Sequence, residues 1–162
     1  MTTTNERRAT VTTPTDTQIQ ITREFDAPRH LVYLAFTTPE LVRRWWHANR
    51  AEITDIEMDV RVGGRYRWAA KALSNGFAFD FHGEYQEVVP DERLVYTEIY
   101  SGFPDSVALN TATLEEKDGR TFVEILVQHP SREARDGHIG SGMEEGMQEA
   151  LQLLEDAVRE LA

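Results

Sequence analysis

The C-terminal segment Gly142–Ala162 has the periodicity of one long amphipathic helix. Apolar side chains recur there at intervals of three and four residues, which places them on a single helix face. That face contains Met143, Met147, Leu151, Leu154, Val158 and Leu161. The opposite, polar face contains Glu144, Glu145, Gln148, Glu149, Gln152, Glu155 and Arg159. Because burial of each large apolar side chain contributes about 1.5–3 kcal/mol, this helix is expected to dock on another layer of the protein.

The sequence before this helix alternates with a period of two, which predicts strands of an antiparallel sheet. A first strand is expected at 18–25, followed by two short helices that Thr38-Pro39 separates, and then by about six strands. Asn75-Gly76 is a strong hairpin signal. The polar segment 130–140 is expected to be a loop that leads into the final helix. This order predicts an α+β fold in which a curved antiparallel sheet wraps around the C-terminal helix.

Residues 1–17 differ from the rest of the chain in composition. They are rich in threonine and nearly devoid of large apolar side chains, so we expect a disordered N-terminal tail without core contacts. Residues 18–162 are expected to form one domain, a length that suffices for a substantial core.

Charge and composition argue against several classes of partner and site. The formal net charge of -11 disfavours nucleic acid and anionic membrane surfaces, which attract clustered Lys and Arg. The chain has no cysteine, so thiol nucleophiles and thiolate metal sites are excluded. No apolar run is long enough to span a membrane, and a cytoplasmic location is expected. The five histidines show no paired spacing for a metal, and no phosphate loop or dinucleotide fingerprint occurs, so neither metal nor cofactor is predicted.

Several short motifs follow one another in a characteristic order along residues 18–162. They are Ile21-Thr22-Arg23-Glu24-Phe25-Asp26-Ala27-Pro28 with Val32-Tyr33, Pro39-Glu40-Leu41 with Trp45-Trp46, Val62-Gly63-Gly64 with Tyr66, Gly83-Glu84-Tyr85 with Val88-Val89-Pro90, Arg93-Leu94-Val95, and Met143 to Leu151. This pattern resembles the activator of heat-shock-protein-90 ATPase homologue-like family within the START-like (SRPBCC) helix-grip superfamily. The resemblance implies a helix-grip fold with a cavity between sheet and helix. It implies no single activity, because one fold hosts many functions.

The candidate site follows from the side chains that would border such a cavity. Aromatic faces from the sheet and flexible thioethers from the helix favour a flat, apolar molecule. The candidate ligand-binding residues are Trp46, Tyr66, Trp68, Phe79, Phe81, His129, Met143 and Met147. Relatives often have a glycine-tryptophan pair where this chain has Gly146-Met147, and methionine would leave a more plastic wall. Trp45 and Trp46, if helical neighbours, point about 100° apart and are not expected to face the same place.

The polar residues of the strands give a weaker signal. Alternation places Asp80, His82 and Glu84 on the face opposite Phe79 and Phe81, towards water. If Gly83 bends that strand, Glu84 could instead turn inward and meet Glu98, and the pKa of one carboxyl would rise. His129 is in phase with the inward side chains of its strand, whereas His138 is expected to face solvent in the polar loop.

Three functions remain open on the sequence alone. We favour non-catalytic binding of a small hydrophobic or aromatic molecule, and no catalytic residue is assigned. The first alternative is a protein-interaction module, either a chaperone cofactor or a homodimer. The second is an enzyme of the cyclase/aromatase or hydrolase kind known elsewhere in the superfamily. A polar pair directed into a closed pocket would favour the enzyme, and an exposed apolar patch beside a collapsed cavity would favour the interaction module.

Overall fold

A computed structural model describes residues 8–161, and within that range the chain forms eight strands and four helices. The strands are β1 (Thr10–Thr12), β2 (Gln18–Phe25), β3 (Ala51–Met58), β4 (Arg65–Ala72), β5 (Ala78–Val89), β6 (Arg93–Tyr100), β7 (Val107–Lys117) and β8 (Arg120–Gln128). The helices are α1 (Arg29–Thr37), α2 (Pro39–Trp45), α3 (Arg132–Gly140) and α4 (Met143–Leu161).

The strands form one antiparallel sheet in the order β1-β2-β8-β7-β6-β5-β4-β3. Strands β3 to β8 form a meander, and β2 pairs with β8 to extend it. Register shifts interrupt the ladder at Ile53/Asp55 and at Tyr85/Glu87, and such irregularities bend a sheet. At Gly83 a Cβ atom would lie 1.9 Å from the Thr97 carbonyl oxygen, so only glycine permits this approach of β5 to β6. The predicted α+β fold is confirmed.

The predicted amphipathic helix is α4, and its two halves have different surroundings. In the C-terminal half, Leu151, Leu154 and Val158 are buried in the main core. In the N-terminal half, Met143 and Met147 are only half-buried. Leu161 belongs to the predicted apolar stripe but is 45% exposed, because it is the last described residue of the helix. The tight core therefore ends before the first turns of α4.

Glu155 corrects the prediction that the polar stripe of α4 faces water throughout. The carboxylate is buried, and its Oε1 accepts hydrogen bonds from Arg23 Nη1 and from the Asp26 backbone N–H, both at 3.1 Å. Arg23 Nη2 donates to Gln152 Oε1 at 3.0 Å, and the guanidinium lies 4.5 Å from the centre of the Phe25 ring. This buried network joins β2 to α4.

The expectation of an unstructured tail is wrong for its described part. Strand β1 pairs with β2, with Val11 opposite Ile21. Ala9 is buried, and its backbone N–H and C=O exchange two hydrogen bonds of 2.8 Å with the Gln148 side chain. Pairing of this kind uses backbone groups, so apolar content is a poor guide to it. Residues 1–7, which carried the rest of the expectation, lie outside the described range.

The segment expected to be a polar loop is mostly helix α3. Ser131 is its N-cap, and the Ser131 hydroxyl accepts a hydrogen bond from the Ala134 N–H at 3.0 Å. The glycines at 137 and 140 lowered the helical signal in the sequence, but helical contacts and this cap outweigh their propensity. Helix α3 places His138 beside the sheet.

Candidate functional site

The largely apolar cavity of the fold lies between the sheet and the N-terminal half of α4, with a volume of about 360 Å³. Its wall includes Ile21, Leu94, Ala112, Ile125 and Val127 from the sheet. A second depression of similar volume lies at the outer face of α4, lined by Arg8, Glu144, Glu145, Gln148 and Glu149. That depression is more open and is lined by charged side chains, so the largely apolar cavity is the better candidate for binding an organic molecule.

Six of the eight predicted site residues line this cavity: Trp46, Tyr66, Trp68, Phe81, Met143 and Met147. The other two are placed behind lining residues. The Phe79 ring lies 5.4 Å from the His47 ring and 6.1 Å from that of Trp46. His129 Nε2 lies 2.9 Å from His138 Nδ1. Phe79 and His129 thus contact cavity-lining neighbours, and ligand contact by all eight residues stays a prediction.

Three tryptophans meet at one end of the cavity, contrary to the expectation for Trp45 and Trp46. Both rings contact the Trp68 ring edge-to-face, at centroid distances of 5.8 and 5.5 Å. The prediction assumed two helical neighbours, but α2 ends at Trp45 and Trp46 has extended backbone angles of -74° and 110°. The change of backbone direction turns the second indole back towards the sheet. Trp45 Nε1 donates to the Ala35 carbonyl at 2.9 Å, which holds its ring in place.

Three tyrosines from adjacent strands form a further part of the wall. The Tyr66 ring lies 5.5 Å from that of Tyr85 and 5.7 Å from that of Tyr96. The Tyr66 hydroxyl donates to the Thr97 carbonyl at 2.6 Å. Burial raises the pKa of all three hydroxyls well above its usual value. They therefore remain protonated at physiological pH and present hydroxyls rather than charges.

Glu98 is the acidic residue of the cavity lining. Its predicted role was limited to a conditional pairing with Glu84. Glu84 is exposed, so the two carboxyls do not form the conditional pair. Burial raises the pKa of Glu98 from 4.5 to about 7, and the nearby side chain of Asn110 partly opposes this rise. A signal was present: Leu94, Tyr96 and Glu98 occur at every second position and all line the cavity.

The other polar strand residues face away from the cavity. His82 Nδ1 lies 3.0 Å from Asp80 Oδ1, and Arg67 Nη2 lies 3.3 Å from Asp80 Oδ2. None of these three side chains lines the cavity. The alternation prediction for Asp80, His82 and Glu84 is therefore consistent with the structure.

Asn110 is a polar residue of the wall that the sequence analysis missed. It lies on β7 opposite Tyr96 of β6 and is only 3% exposed. Its Nδ2 has no partner at hydrogen-bonding geometry among residues 8–161, although the amide is near enough to Glu98 to lower the pKa of that carboxyl. Trp68 Nε1 is a second buried donor without such a partner in the described range. Buried polar groups of native proteins are nearly always satisfied, so these two donors stand out.

The rim of the cavity contains His47, Arg50 and His138. Arg50 Nε donates to Glu149 Oε2 of α4 at 2.7 Å, which links the loop after α2 to the helix. Burial and the neighbouring His129 lower the pKa of His138 to about 4, which corrects the expectation that His138 faces solvent. Burial, followed by Arg50, lowers the pKa of His47 as well. The rim histidines are therefore neutral at physiological pH.

Two structural findings bear on the predicted absences. Within residues 8–161, no three His, Asp or Glu side chains are arranged to hold a metal ion. Over that same part of the chain, no helix is long and apolar enough to cross a membrane.

Comparisons with known proteins agree with the architecture. A family model described as "Activator of Hsp90 ATPase homolog 1-like protein" matches residues 26–159. A crystal structure of a Rhodobacter sphaeroides protein has a TM-score of 0.86 at 24% identity, covering 94% of this chain and 99% of that chain. For a Chromobacterium violaceum protein the TM-score is 0.78 at 28% identity, with coverages of 89% and 98%. For a Mycobacterium smegmatis protein it is 0.81 at 24% identity, with coverages of 91% and 95%. No curated protein matches this chain.

Proposed function

Since this chain belongs to the Activator of Hsp90 ATPase homolog 1-like family, whose helix-grip fold supports a ligand-binding or cofactor-like role in general, we propose that it binds a small hydrophobic or aromatic molecule without converting it. The binding site is the cavity between the sheet and the N-terminal half of α4. We place this function in the cytoplasm.

The observation that carries the proposal is a partly open cavity walled by aromatic rings and thioethers. Ordinary cores are packed to high density, and a cavity of about 360 Å³ bordered by Trp46, Trp68 and Phe81 departs from that packing. Its volume lies within the range of small-molecule sites. Met143 and Met147 are flexible and can adjust to ligands of different outline. These features favour broad specificity with affinities of about micromolar, or -8 kcal/mol.

An acid–base enzyme is the second candidate, and Glu98 is the observation that favours it. Groups whose pKa is moved towards neutrality inside a cavity are common at catalytic sites. Among the described residues, however, no histidine, lysine or second carboxylate forms a hydrogen bond with Glu98. Catalysis of the cyclase or hydrolase kind would require a partner group from the substrate itself. Binding without conversion needs no such addition, and we therefore prefer it.

The test uses the neutral fluorescent probe N-phenyl-1-naphthylamine and the variant Met147→Trp. The indole would extend from α4 into the cavity, so probe binding should be abolished while the melting temperature is equal or higher. Phe122→Trp is the matched control, since residue 122 is exposed and pairs with Glu24 and Glu115, none of which lines the cavity. Undiminished binding by Met147→Trp would contradict the proposal and favour a protein-interaction module or homodimer. Product formation from a bound compound, lost in Glu98→Gln, would instead establish the enzyme.

A further inference from the structure

The cavity is apolar along most of its wall but has one polar end, formed by Asn110 on β7 and Glu98 on β6. Asn110 lies directly opposite Tyr96, two residues before Glu98, so the amide and the carboxyl are diagonal neighbours on one face of the sheet. Both side chains line the cavity. Trp68 belongs to β4, three strands away from β7, and at about 4.8 Å per strand it serves a different part of the wall.

The two side chains at this end can both donate hydrogen bonds to a ligand. Asn110 Nδ2 carries N–H groups and is buried. It lacks a partner at good hydrogen-bonding geometry within residues 8–161, although the amide interacts with the Glu98 carboxyl closely enough to lower its pKa. Burial favours the neutral form of Glu98, whose pKa is about 7, and a neutral carboxyl adds an O–H donor. A buried donor without a well-aligned partner is unfavourable. A ligand that supplies an acceptor oxygen therefore gains binding free energy from this hydrogen bond.

The geometry points to a neutral ligand whose carbonyl-type oxygen accepts hydrogen bonds from Asn110 Nδ2 and the Glu98 carboxyl, with its apolar body against Met143 and Met147. This assignment rests on the proposed binding function and specifies the ligand class. A cation would favour the ionised form of Glu98 but would offer no acceptor to Asn110. An anion would be repelled once Glu98 ionises.

The pKa values of the other shifted groups at the cavity move away from neutrality. Tyr66 and Tyr96 interact electrostatically with Glu98, and Tyr85 lies beside them, but burial raises the pKa of all three hydroxyls. At the rim, His47 and His138 have lowered pKa values. A change in affinity for a neutral ligand that is centred near pH 7, and that Glu98→Gln removes, therefore reports the proton of Glu98.

The experiment compares two neutral probes of nearly equal shape, 2-acetylnaphthalene and 2-ethylnaphthalene, by displacement of N-phenyl-1-naphthylamine. The measured quantity is the ratio of their affinities, which cancels the apolar contribution. Asn110→Leu should lower the ketone-to-hydrocarbon ratio about tenfold, the effect of one buried hydrogen bond. In the unaltered protein the ratio should fall as the pH rises through 7, and Glu98→Gln should keep the ratio high at all pH values.

Each outcome has a distinct meaning. A ratio unchanged by Asn110→Leu and independent of pH would overturn the polar-end assignment, even with both probes bound. Failure of both probes to bind would instead overturn the proposed function. Tighter binding of 2-naphthylmethylamine or 2-naphthoate than of the ketone would show that the end prefers a charged ligand and would also overturn the assignment. If Asn110→Leu fails to fold by circular dichroism, the pH profiles of the unaltered protein and of Glu98→Gln decide.

Discussion

Replacing Glu155 by leucine should lower the free energy of unfolding by about 3–5 kcal/mol, the usual cost of breaking a buried ion pair. The side chains of Glu155 and Arg23 are only 4% and 2% exposed. Glu155 Oε1 accepts from both Arg23 Nη1 and the Asp26 N–H at 3.1 Å, so one substitution removes two hydrogen bonds together with the ionic contact. Such groups were desolvated on folding, and water cannot readily replace the lost partner.

The double variant Arg23→Met/Glu155→Leu separates the value of the pair from the cost of breaking it. Apolar residues of similar size often replace a buried pair without loss, so the double variant should be more stable than Glu155→Leu alone. The exposed pair Arg44–Glu160 provides the matched control, and Glu160→Ala should cost less than about 1 kcal/mol.

Urea unfolding followed by tryptophan fluorescence measures these free energies. The slope of the free energy against urea should stay constant, which shows that the denatured state is unchanged. A Glu155→Leu variant within 1 kcal/mol of the unaltered protein, or a double variant less stable than Glu155→Leu, would refute the reasoning.

Three further predictions follow from the packing and the titrating groups. Leu154→Ala should cost about 2–5 kcal/mol because the residue is fully buried, whereas Leu161→Ala should cost under about 0.5 kcal/mol in the same urea assay; equal costs would contradict the packing of α4. Deletion of residues 1–12 removes β1 and the Ala9 hydrogen bonds to Gln148. This deletion should lower the melting temperature by about 4–8 °C. An unchanged melting temperature would instead support the expectation of a tail without structural contacts. His138 has a folded-state pKa of about 4, below its usual 6.5, so its contribution to folding stability is present above pH 6.5 and is lost as the pH falls towards 4. His138→Gln should reduce the dependence of the free energy of unfolding on pH by up to about 3 kcal/mol. An unaltered pH dependence would show that the histidine is solvated.

Periodicity predicted the parts of the fold that depend on apolar burial. The spacing of Leu151, Leu154 and Val158 predicted α4 and its buried face, and alternation predicted that the strands form an antiparallel sheet. The same signal placed Met143 and Met147 beside the cavity. In each case the burial of apolar surface outweighs local detail, and the sequence displays apolar surface directly.

Features that depend on polar partners or on backbone direction were not predictable in this way. Glu155 has the sequence pattern of a water-facing residue, and only the approach of Arg23 from another element explains its burial. Trp46 joins the aromatic wall because α2 ends at Trp45 and the backbone is extended at Trp46. The direction of the backbone at a helix end is poorly determined by sequence. Asn110 and Glu98 are adjacent only through the register of β6 and β7. The register of these consecutive strands depends on the geometry of the loop 101–106 that joins them, which the apolar pattern does not display.

The most direct test of the cavity is a nitrogen-15 NMR titration of the indole N–H signals with 2-acetylnaphthalene. The chain has three tryptophans, and Trp45, Trp46 and Trp68 all line the cavity. Binding in the cavity predicts saturable shifts of these three signals with a dissociation constant of about micromolar order. If the indole signals stay unchanged at saturating probe, or only residues around exposed Phe103 and Val107 respond, the cavity is not the binding site and the central claim is contradicted.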